Sequence, residues 1–502
     1  MIDELTPPEK HHKHNVIIKY ILIIISFFGS MIFVNILVTG SIIHHFYNKI
    51  LGRYHFEEID YSKNKHGYIP RQAYPDIKNL KIVDDIRYYA LQLNLDLEEH
   101  IITTEDGYVL TLHHLIDPKE SQEQRHSKKP VLFQHGLMSS SGAFFTSGFN
   151  SIPYYFHEKG YDVWLGNNRS YFQPKHTFYE HLYTNEQFWD WDIRALAYFD
   201  MPALIENVLT HKPNHSKLIL AGHSQGGCQT FIMLRNPKLS HIHDKIEWFI
   251  PLAPACFPGP IFHRSGFLLF MHSLSETGFM ILFGSCGFIR YLNFLRRFMA
   301  TTPIYRPLSY YMFNYLFGWG CKNWDSNTKV WRSLMLFNVV HISTRLMIWY
   351  TSSFLEESFA NQLLPKKAYK TGENHLFNPE AKQGPLPTPK KAYLPFENAW
   401  FDGSDHTVPI ILFTGGSDDM VDGDRLITHL RHYEPKYEEG KNLHIFKVPD
   451  FSHLDLIWAV DAIDKIGIDT VNILQGVEKS GSSNYDTPAA VKVDKGKIED
   501  LA

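Results

Sequence analysis

A serine placed between two glycines at residues 222–226 has the spacing of a hydrolase nucleophile. The segment reads Gly-His-Ser-Gln-Gly and follows the apolar run 217–221. The two glycines allow the sharp strand-to-helix turn that holds a serine hydroxyl above the edge of a sheet. A helix that begins behind this turn directs its backbone N–H groups and its positive end toward the same point. The motif therefore predicts Ser224 as the nucleophile of an acyl-transfer reaction.

A serine hydroxyl is a weak nucleophile until a base takes its proton, and this motif is followed by its partners in the order Ser, Asp, His. His453 comes after the apolar run 443–448. Because the carboxyl ends of parallel strands meet at one edge of a sheet, His453 is expected beside Ser224. The chain has 29 histidines, so the presence of a histidine does not by itself indicate a catalytic base. The position after the last strand predicts His453 as the base.

The carboxylate that orients this base is expected after the apolar run 408–414, in the segment Gly-Gly-Ser-Asp-Asp-Met-Val-Asp. Three residues compete for the role: Asp418, Asp419 and Asp422. Asp418 is the first carboxylate after the Gly-Gly turn, and this position favours it. The other two are then expected to be solvated or to cap a helix.

Two backbone N–H groups are needed to hold the oxyanion that forms during acyl transfer. The first is the N–H of Gln225, directly after the nucleophile. The second is expected in the turn after an earlier strand, and the segment 131–138 makes Leu137 the candidate. His135 in the same turn is expected to hold the loop through a hydrogen bond and not to act as a base.

Short apolar runs alternate with amphipathic stretches along most of the chain. The runs that predict strands are 130–134, 161–165, 217–221, 246–252, 408–414 and 443–448, and the stretches 190–209 and 225–235 predict helices between them. Continuous apolar strands that alternate with helices are typical of a parallel sheet covered on both faces. The class is therefore α/β, and the nucleophile motif predicts an α/β-hydrolase fold with a mostly parallel central sheet.

The interval 256–400 interrupts this alternation with a segment rich in Phe, Leu, Met, Tyr and Trp. Charged or titratable residues, His272, Glu276 and Arg290, interrupt its most apolar part, which argues against a second membrane span. The interval therefore predicts an inserted helical cap or lid. The stretch 365–405 is rich in proline and predicts a loop.

A run of 24 uncharged residues occupies positions 20–43 near the N-terminus. At about 1.5 Å per residue a helix of this length crosses a hydrocarbon core of about 30 Å. A secretory signal has a shorter apolar core, and no small-x-small cleavage site follows this run. We therefore expect an uncleaved signal anchor that makes the protein single-pass. No catalytic motif lies in it, so deletion of residues 1–43 is expected to release a soluble, active core.

Composition excludes several classes of protein. Lys and Arg total 49 against 53 Asp and Glu among 502 residues, so no basic surface for nucleic acid is indicated. The four cysteines form no Cys-x-x-Cys pair, which argues against a zinc or redox motif. The histidines that flank the apolar run are expected to be solvated and not to bind metal; they are His11, His12, His14, His44 and His45. Neither a cofactor nor an obligate protein partner is indicated.

The chain resembles the acid lipase family, which includes gastric and lysosomal acid lipases, and within it the membrane-anchored fungal steryl ester hydrolases. The resemblance covers roughly residues 85–465 and rests on the segments HIITTEDGYVLTLH, QHGLMSSS, GYDVWLGNNR, FWDWD, YFDMPALIE, GHSQGG, FNYLFGWGCKNW, GGSDDMVD and SHLDLIW. It implies Ser224, Asp418 and His453 as the triad and Leu137 with Gln225 as the oxyanion hole. It also implies neutral-lipid substrates and a helical lid.

Two departures from the family pattern concern the acyl pocket. The usual Gly-Asn-x-Arg-Gly here ends Arg169-Ser170, and the Trp that often follows His-Gly-Leu is absent, with Phe144 and Phe145 nearby. The insertion at 365–405 is also longer than in the soluble members, so the alignment of the lid is open there.

We expect an esterase or lipase that hydrolyses neutral lipid esters, with steryl esters first and triacylglycerol second. A sterol acyltransferase that uses the same triad and a non-catalytic lipid-binding protein on a hydrolase fold are the alternatives. The expected location is a membrane or lipid-droplet surface, in the endoplasmic reticulum, on lipid droplets or in the plasma membrane. The predicted organisation is an N-terminal tail (1–19), a transmembrane anchor (20–43), a stalk leading into the fold (44–95), the first part of the core (96–255), a cap with a proline-rich loop (256–400), the second part of the core (401–475) and a disordered tail (476–502).

Overall fold

An eight-stranded sheet forms the centre of the protein. The computed structural model describes residues 2–8, 14–53, 59–169, 171–369, 391–403 and 406–476. The strands are β1 (Asp96–Thr103), β2 (Val109–Ile116), β3 (Pro130–Gln134), β4 (Asp162–Gly166), β5 (Leu218–His223), β6 (Ile246–Leu252), β7 (Ile410–Gly415) and β8 (Leu443–Val448). Their order in the sheet is β1-β2-β4-β3-β5-β6-β7-β8. All six strands predicted from the apolar runs are present, within a few residues of the expected bounds.

Strands β3 to β8 are parallel, whereas β1 and β2 form an antiparallel pair that joins the edge of the sheet at β4. The apolar runs did not predict this pair. Its strands carry charged residues and histidines between the apolar ones, because one face of an edge pair can meet water. The turn between them contains Gly107 with a φ of 89°, a conformation that favours glycine.

Helices cover both faces of the sheet. Before the cap they are α1 (Val16–Ile50), α2 (Ile86–Leu91), α3 (Gln122–Ser127), α4 (Gly142–Phe145), α5 (Ile152–Glu158), α6 (Glu186–Trp189), α7 (Ile193–Ala195), α8 (Met201–Thr210), α9 (Gln225–Arg235) and α10 (Ser240–His243). The predicted helix 225–235 is α9. The predicted helix 190–209 is divided into α7 and α8 by a π-helical turn, Leu196–Asp200.

Six further helices lie between β6 and β7 and form the cap. They are α11 (Gly266–Ser273), α12 (Glu276–Phe283), α13 (Arg290–Ala300), α14 (Tyr305–Phe317), α15 (Thr328–Leu336) and α16 (Thr344–Thr351). After β7, the described residues contain α17 (Gly423–His432), α18 (Asp455–Trp458) and α19 (Ile468–Leu474). Helices α11 and α12 meet at 117°, so together they make a bent hairpin and not a straight rod. Most of the predicted proline-rich loop and the predicted tail fall at 370–390, 404–405 and 477–502, outside the described residues.

Helix α1 begins after the N-cap Asn15 and runs for 35 residues, which extends the predicted span 20–43 at both ends. It has the length and the apolar composition to cross a membrane. One side of it packs on α12 and α14 of the cap. The buried residues on that side recur at helical spacing and are Ser26, Ser30, Phe33, Val34, Ser41 and Asn48. The apolar residues on its other sides are largely exposed.

Candidate active site

Ser224 lies at the junction of β5 and α9 in a strained backbone conformation. Its φ of 52° and ψ of −114° are rare for a residue with a side chain. A Cβ at Gly222 would lie 2.8 Å from the Gly226 carbonyl, and one at Gly226 would lie 2.4 Å from the carbonyl oxygen of Gln134. The turn therefore requires glycine on both sides of the serine. This packing presents the Ser224 hydroxyl at the carboxyl edge of the sheet.

A chain of two hydrogen bonds joins the three predicted side chains. His453 Nε2 is 2.8 Å from Ser224 Oγ, and His453 Nδ1 is 2.8 Å from Asp418 Oδ2. All three side chains are shielded from solvent: the exposed fraction is 8% for Ser224 and 4% for His453, and 2% for the Asp418 side chain. The second Asp418 oxygen accepts the backbone N–H groups of Met420 and Val421, which holds the carboxylate toward the imidazole.

The two competing carboxylates point elsewhere. Asp419 forms an ion pair with Arg264 on the protein surface. Asp422 is the N-cap of α17 and accepts the backbone N–H of Arg425 at 2.9 Å. Burial raises the pKa of Asp422 to about 6. These are the solvated and helix-capping roles that the sequence predicted for the carboxylates other than Asp418.

The turn that contains Leu137 lies directly against the nucleophile. A Cβ on Gly136 would be 3.1 Å from Ser224 Cβ, so the glycine lets the turn approach this closely. Gln225 is the first residue of α9, where a backbone N–H has no partner within the helix. The structure thus brings the turn that contains Leu137 and the first residue of α9 to the side of Ser224.

His135 supports this turn, as expected from the sequence. Its Nδ1 bonds to the Gly136 carbonyl at 2.8 Å, and its Nε2 accepts the backbone N–H of Asn168 at 3.1 Å. Full burial lowers the pKa of His135 to about 4, so the ring is neutral at neutral pH. A neutral ring with both nitrogens engaged is a structural support.

Several supports of His453 were not predicted from the sequence. His223 Nε2 lies 3.1 Å from the His453 carbonyl oxygen, and burial lowers the pKa of His223 to about 3. Because a carbonyl oxygen only accepts, Nε2 of the neutral His223 ring carries the proton and donates this hydrogen bond, which fixes the backbone of the base. The ring of Trp319, in the cap, stacks on the His453 ring with the centroids 6.2 Å apart. The position of His223 next to Ser224 in the sequence was the one sign of a role in the site. Its partner His453 lies 230 residues away, so the sequence did not reveal the contact.

Asp455 ties the loop of His453 to the cap. One of its oxygens accepts the backbone N–H and the hydroxyl of Ser452 and the side-chain amide of Asn323, and the other accepts the indole N–H of Trp324. Burial raises the pKa of Asp455, although these four donors oppose the shift. Asn323 and Trp324 belong to a motif quoted above for the family resemblance, and the structure gives them this contact.

Arg169, at the end of the atypical Gly-Asn-Asn-Arg segment, is fully buried. It pairs with Asp200 and with Asp106, and its guanidinium lies 3.8 Å from the centroid of the Tyr108 ring. A narrow cavity beside it, lined also by Met138, Trp191, Gln225 and Leu346, has an internal volume of ≈ 10 Å³. This is room for about one water molecule.

Known proteins are similar to this chain in sequence. A family model described as the partial alpha/beta-hydrolase lipase region matches residues 86–148. Sterol esterase 2 of Saccharomyces cerevisiae is 34% identical over 78% of this chain and 71% of its own length. The chain belongs to the acid lipase family of α/β-hydrolases. It is a carboxylic ester hydrolase, with the mostly parallel sheet that its sequence predicted.

More distant members of the family match over a similar region. Putative lysosomal acid lipase/cholesteryl ester hydrolase of Crotalus adamanteus is 27% identical over 76% of this chain and 88% of its own length. Gastric triacylglycerol lipase of Homo sapiens is 26% identical over 76% of this chain and 88% of its own length. The resemblance predicted from the motifs is therefore confirmed at the level of the family.

Proposed function

We propose that Ser224, His453 and Asp418 are the catalytic triad of this esterase. The observation that carries the proposal is the pair of hydrogen bonds, each 2.8 Å long, that joins the hydroxyl, the imidazole and the carboxylate. His453 takes the proton of Ser224 as the hydroxyl attacks the ester carbonyl, and then gives it to the leaving alcohol. Asp418 orients His453 and stabilises its charged form.

The oxyanion of each tetrahedral intermediate accepts hydrogen bonds from the backbone N–H groups of Leu137 and Gln225. Water, deprotonated by His453, then attacks the acyl-serine and releases the fatty acid. The proton returns through the imidazole to Ser224. These steps use only side chains and backbone groups of this chain, and no cofactor takes part in them.

Steryl esters are the proposed substrates. A relative named a sterol esterase supports this choice, as do the large apolar side chains of the cap. Triacylglycerol is the second candidate, because a gastric triacylglycerol lipase is also similar. A panel of purified steryl esters and triacylglycerols, hydrolysed by the full-length protein in detergent micelles, separates the two. Faster turnover of triacylglycerol would contradict the sterol assignment.

The cap acts as a lid in this proposal. The cap carries many large apolar side chains, and we expect substrate to reach Ser224 when the cap opens. Opening transfers apolar surface to lipid at about 25 cal/mol per Å², which offsets its cost at an interface. The rate on a short ester is therefore expected to rise sharply where the ester exceeds its solubility and forms droplets. Simple saturation through that point would argue against a lid.

Helix α1 is proposed as a single-pass membrane anchor, with the protein in the endoplasmic reticulum, on lipid droplets or in the plasma membrane. Its length and composition support this role. Resistance of the protein to carbonate extraction tests it. We also propose the predicted division of the chain. The core has two parts, residues 96–255 and 401–475, and the cap at 256–400 lies between them.

Two other activities would use the same fold. A sterol acyltransferase would pass the acyl group to an alcohol, and product analysis with and without a sterol acceptor detects it. A lipid-binding protein would not react with a fluorophosphonate. We expect rapid labelling of Ser224, and absence of labelling in the intact protein would favour the binding role.

A further inference from the structure

We propose that Glu98, His100 and His114 form a binding site for a divalent transition metal, with Zn²⁺ as the best match. The three residues lie on the antiparallel pair β1–β2 at the edge of the sheet. Strands β2, β4 and β3 separate β1 from β5, which carries Ser224. At about 4.8 Å per strand the lateral separation is roughly 19 Å. The site is therefore distinct from the candidate active site.

The strand register places the three side chains on one face. Glu98 and His100 are two residues apart on β1, so they point to the same side. His114 on β2 pairs directly with Glu98. Oε2 of Glu98 is 3.6 Å from Nδ1 of His114 and 3.8 Å from Nε2 of His100, and all the ligand atoms lie within 4.8 Å of one another.

These separations suit a metal ion better than direct hydrogen bonds. They exceed the usual length of a hydrogen bond, about 2.7–3.2 Å. A point equidistant from the three atoms lies at most about 2.4 Å from each, against about 2.0–2.2 Å for zinc bonded to imidazole or carboxylate. Side-chain shifts of a few tenths of an ångström would complete the coordination.

A second carboxylate fixes the proton of His114 on the side away from the cluster. Asp162 Oδ1 is 2.9 Å from His114 Nε2, and the other Asp162 oxygen accepts the Trp164 indole N–H at 2.6 Å. The imidazole is also stacked on the Trp164 ring, with the centroids 3.8 Å apart. With its proton on Nε2, His114 directs the Nδ1 lone pair at Glu98. Such carboxylate–histidine pairs commonly orient metal ligands.

His100 supplies the second imidazole in the form that a metal needs. Its Nε2 is buried and has no hydrogen-bond partner among the described residues. A buried nitrogen without a partner is costly, and a metal ion would supply the missing partner.

Two cations flank the cluster, and each pairs with one of the two nearby carboxylates. Arg125 Nη1 is 3.5 Å from the other oxygen of Glu98, and Lys212 Nζ is 3.2 Å from Asp162. His211 packs edge-on against His100, with the ring centroids 4.4 Å apart. The Glu98 side chain is 48% exposed, so the open side of the cluster faces water, which supplies the remaining ligand.

Ligand chemistry selects the class of metal. Two imidazoles and one carboxylate suit Zn²⁺ and the other late first-row transition metals, whereas Ca²⁺ and Mg²⁺ prefer oxygen ligands alone. Because the site lies at the edge of the sheet, away from Ser224, the ion would have a structural role. It would link β1 to β2 and hold this pair against β4.

The test uses the full-length protein in detergent and measures Zn²⁺ affinity by competition with a chromophoric chelator. Glu98→Gln and His100→Ala are each expected to weaken binding at the tightest site by ten- to hundredfold. Glu99→Gln is the matched control: it removes the same charge one residue along, on the opposite face of β1. It is expected to leave the affinity unchanged.

Two further measurements distinguish this site from the other histidines of the chain. X-ray absorption at the zinc edge should show two imidazole nitrogens and oxygen ligands at the stoichiometric ion. Zn²⁺ should raise the melting temperature of the wild type and of Glu99→Gln, but not of His100→Ala, with kcat unchanged throughout. Equal affinity in wild type and both site variants, or a loss of equal size in the control, would overturn the proposal.

Discussion

The ring of Phe33, in helix α1, stacks on the ring of Phe270, in the cap, with the centroids 5.6 Å apart. The same ring meets Phe283 edge-on at 5.4 Å. One turn earlier, a Cβ on Gly29 would lie 3.3 Å from the side chain of Leu282. Small and aromatic residues of α1 therefore fit closely against α11 and α12. The helix that can cross a membrane and these cap helices form one packed unit.

This contact changes the prediction for deletion of residues 1–43. The sequence alone predicts a soluble, active core. The structure instead predicts that deletion uncovers the apolar faces of α12 and α14, because α1 covers both. We expect the truncated protein to aggregate without detergent and to melt at a lower temperature. Recovery of a monomeric, detergent-free enzyme with the melting temperature of the full chain would contradict this expectation.

A pair of neighbouring residues tests the contact more finely. Phe33 is 8% exposed and faces the cap, whereas Ile32 is 58% exposed and faces away. Phe33→Ala is expected to cost about 3 kcal/mol of local packing, the low end for a buried phenylalanine. Ile32→Ala should cost little in detergent. The measurement is the melting temperature, together with the ratio of long-chain to short-chain ester hydrolysis, which should change only in Phe33→Ala.

Ser224→Ala is expected to lower turnover by about 10⁶, and adding His453→Ala should cost little more, because a triad acts as a unit. The assay is hydrolysis of a soluble short ester by protein that retains the wild-type melting temperature. Substantial hydrolysis by Ser224→Ala would refute the proposed nucleophile.

Asp455→Asn is expected to lower kcat ten- to hundredfold with little change in KM. The NH2 group would replace one of the two acceptor oxygens and face either the donors of Ser452 and Asn323 or the indole N–H of Trp324, so the loop of His453 would shift. Fluorophosphonate labelling of Ser224 should slow in parallel. Asp450→Asn, an exposed change in the same loop, is the control. Equal rates in both variants would show that the anchoring of this loop does not position the base.

Asp422→Asn is expected to stabilise the protein at neutral pH. Burial raises the folded-state pKa of Asp422 from 3.8 to about 6. The stability that this group contributes is therefore complete below about pH 4 and is lost as pH rises through about 6. Asparagine keeps the N-cap bond to Arg425 but cannot ionise. The gain should reach at most about 3 kcal/mol at pH 7.5 and vanish near pH 4.

Melting temperatures across this pH range, measured in one detergent, check the prediction. Asp424→Asn is the control, since its side chain is 54% exposed and pairs with Lys447. The Asp424 charge raises the pKa of Asp422 less than burial does, so a gain that grows with pH should be much smaller than in Asp422→Asn. A gain of equal size for Asp422→Asn at pH 4 and pH 7.5 would mean that the buried charge is not its cause.

Local patterns in the sequence determined much of the fold. Strands β3, β6 and β8 have the bounds read from their apolar runs, and α9 begins directly after the nucleophile. Buried parallel strands are apolar throughout, so a short window of sequence reveals them. The glycines around Ser224 also predicted the nucleophile turn correctly, because the geometry of that turn depends on only five consecutive residues. The chain order of the predicted triad followed from these elements.

Tertiary structure alone decided the contacts between distant segments. Asp418, Asp419 and Asp422 share one turn, and only the folded chain shows which of them bonds to His453. Asn323 meets Asp455 from 132 residues away, and helix α1 finds its partners in a cap more than 200 residues later. Such contacts depend on which surfaces pack together when the chain folds. Hydrophobic periodicity shows that one face of an element is apolar, but it does not show which element packs on that face.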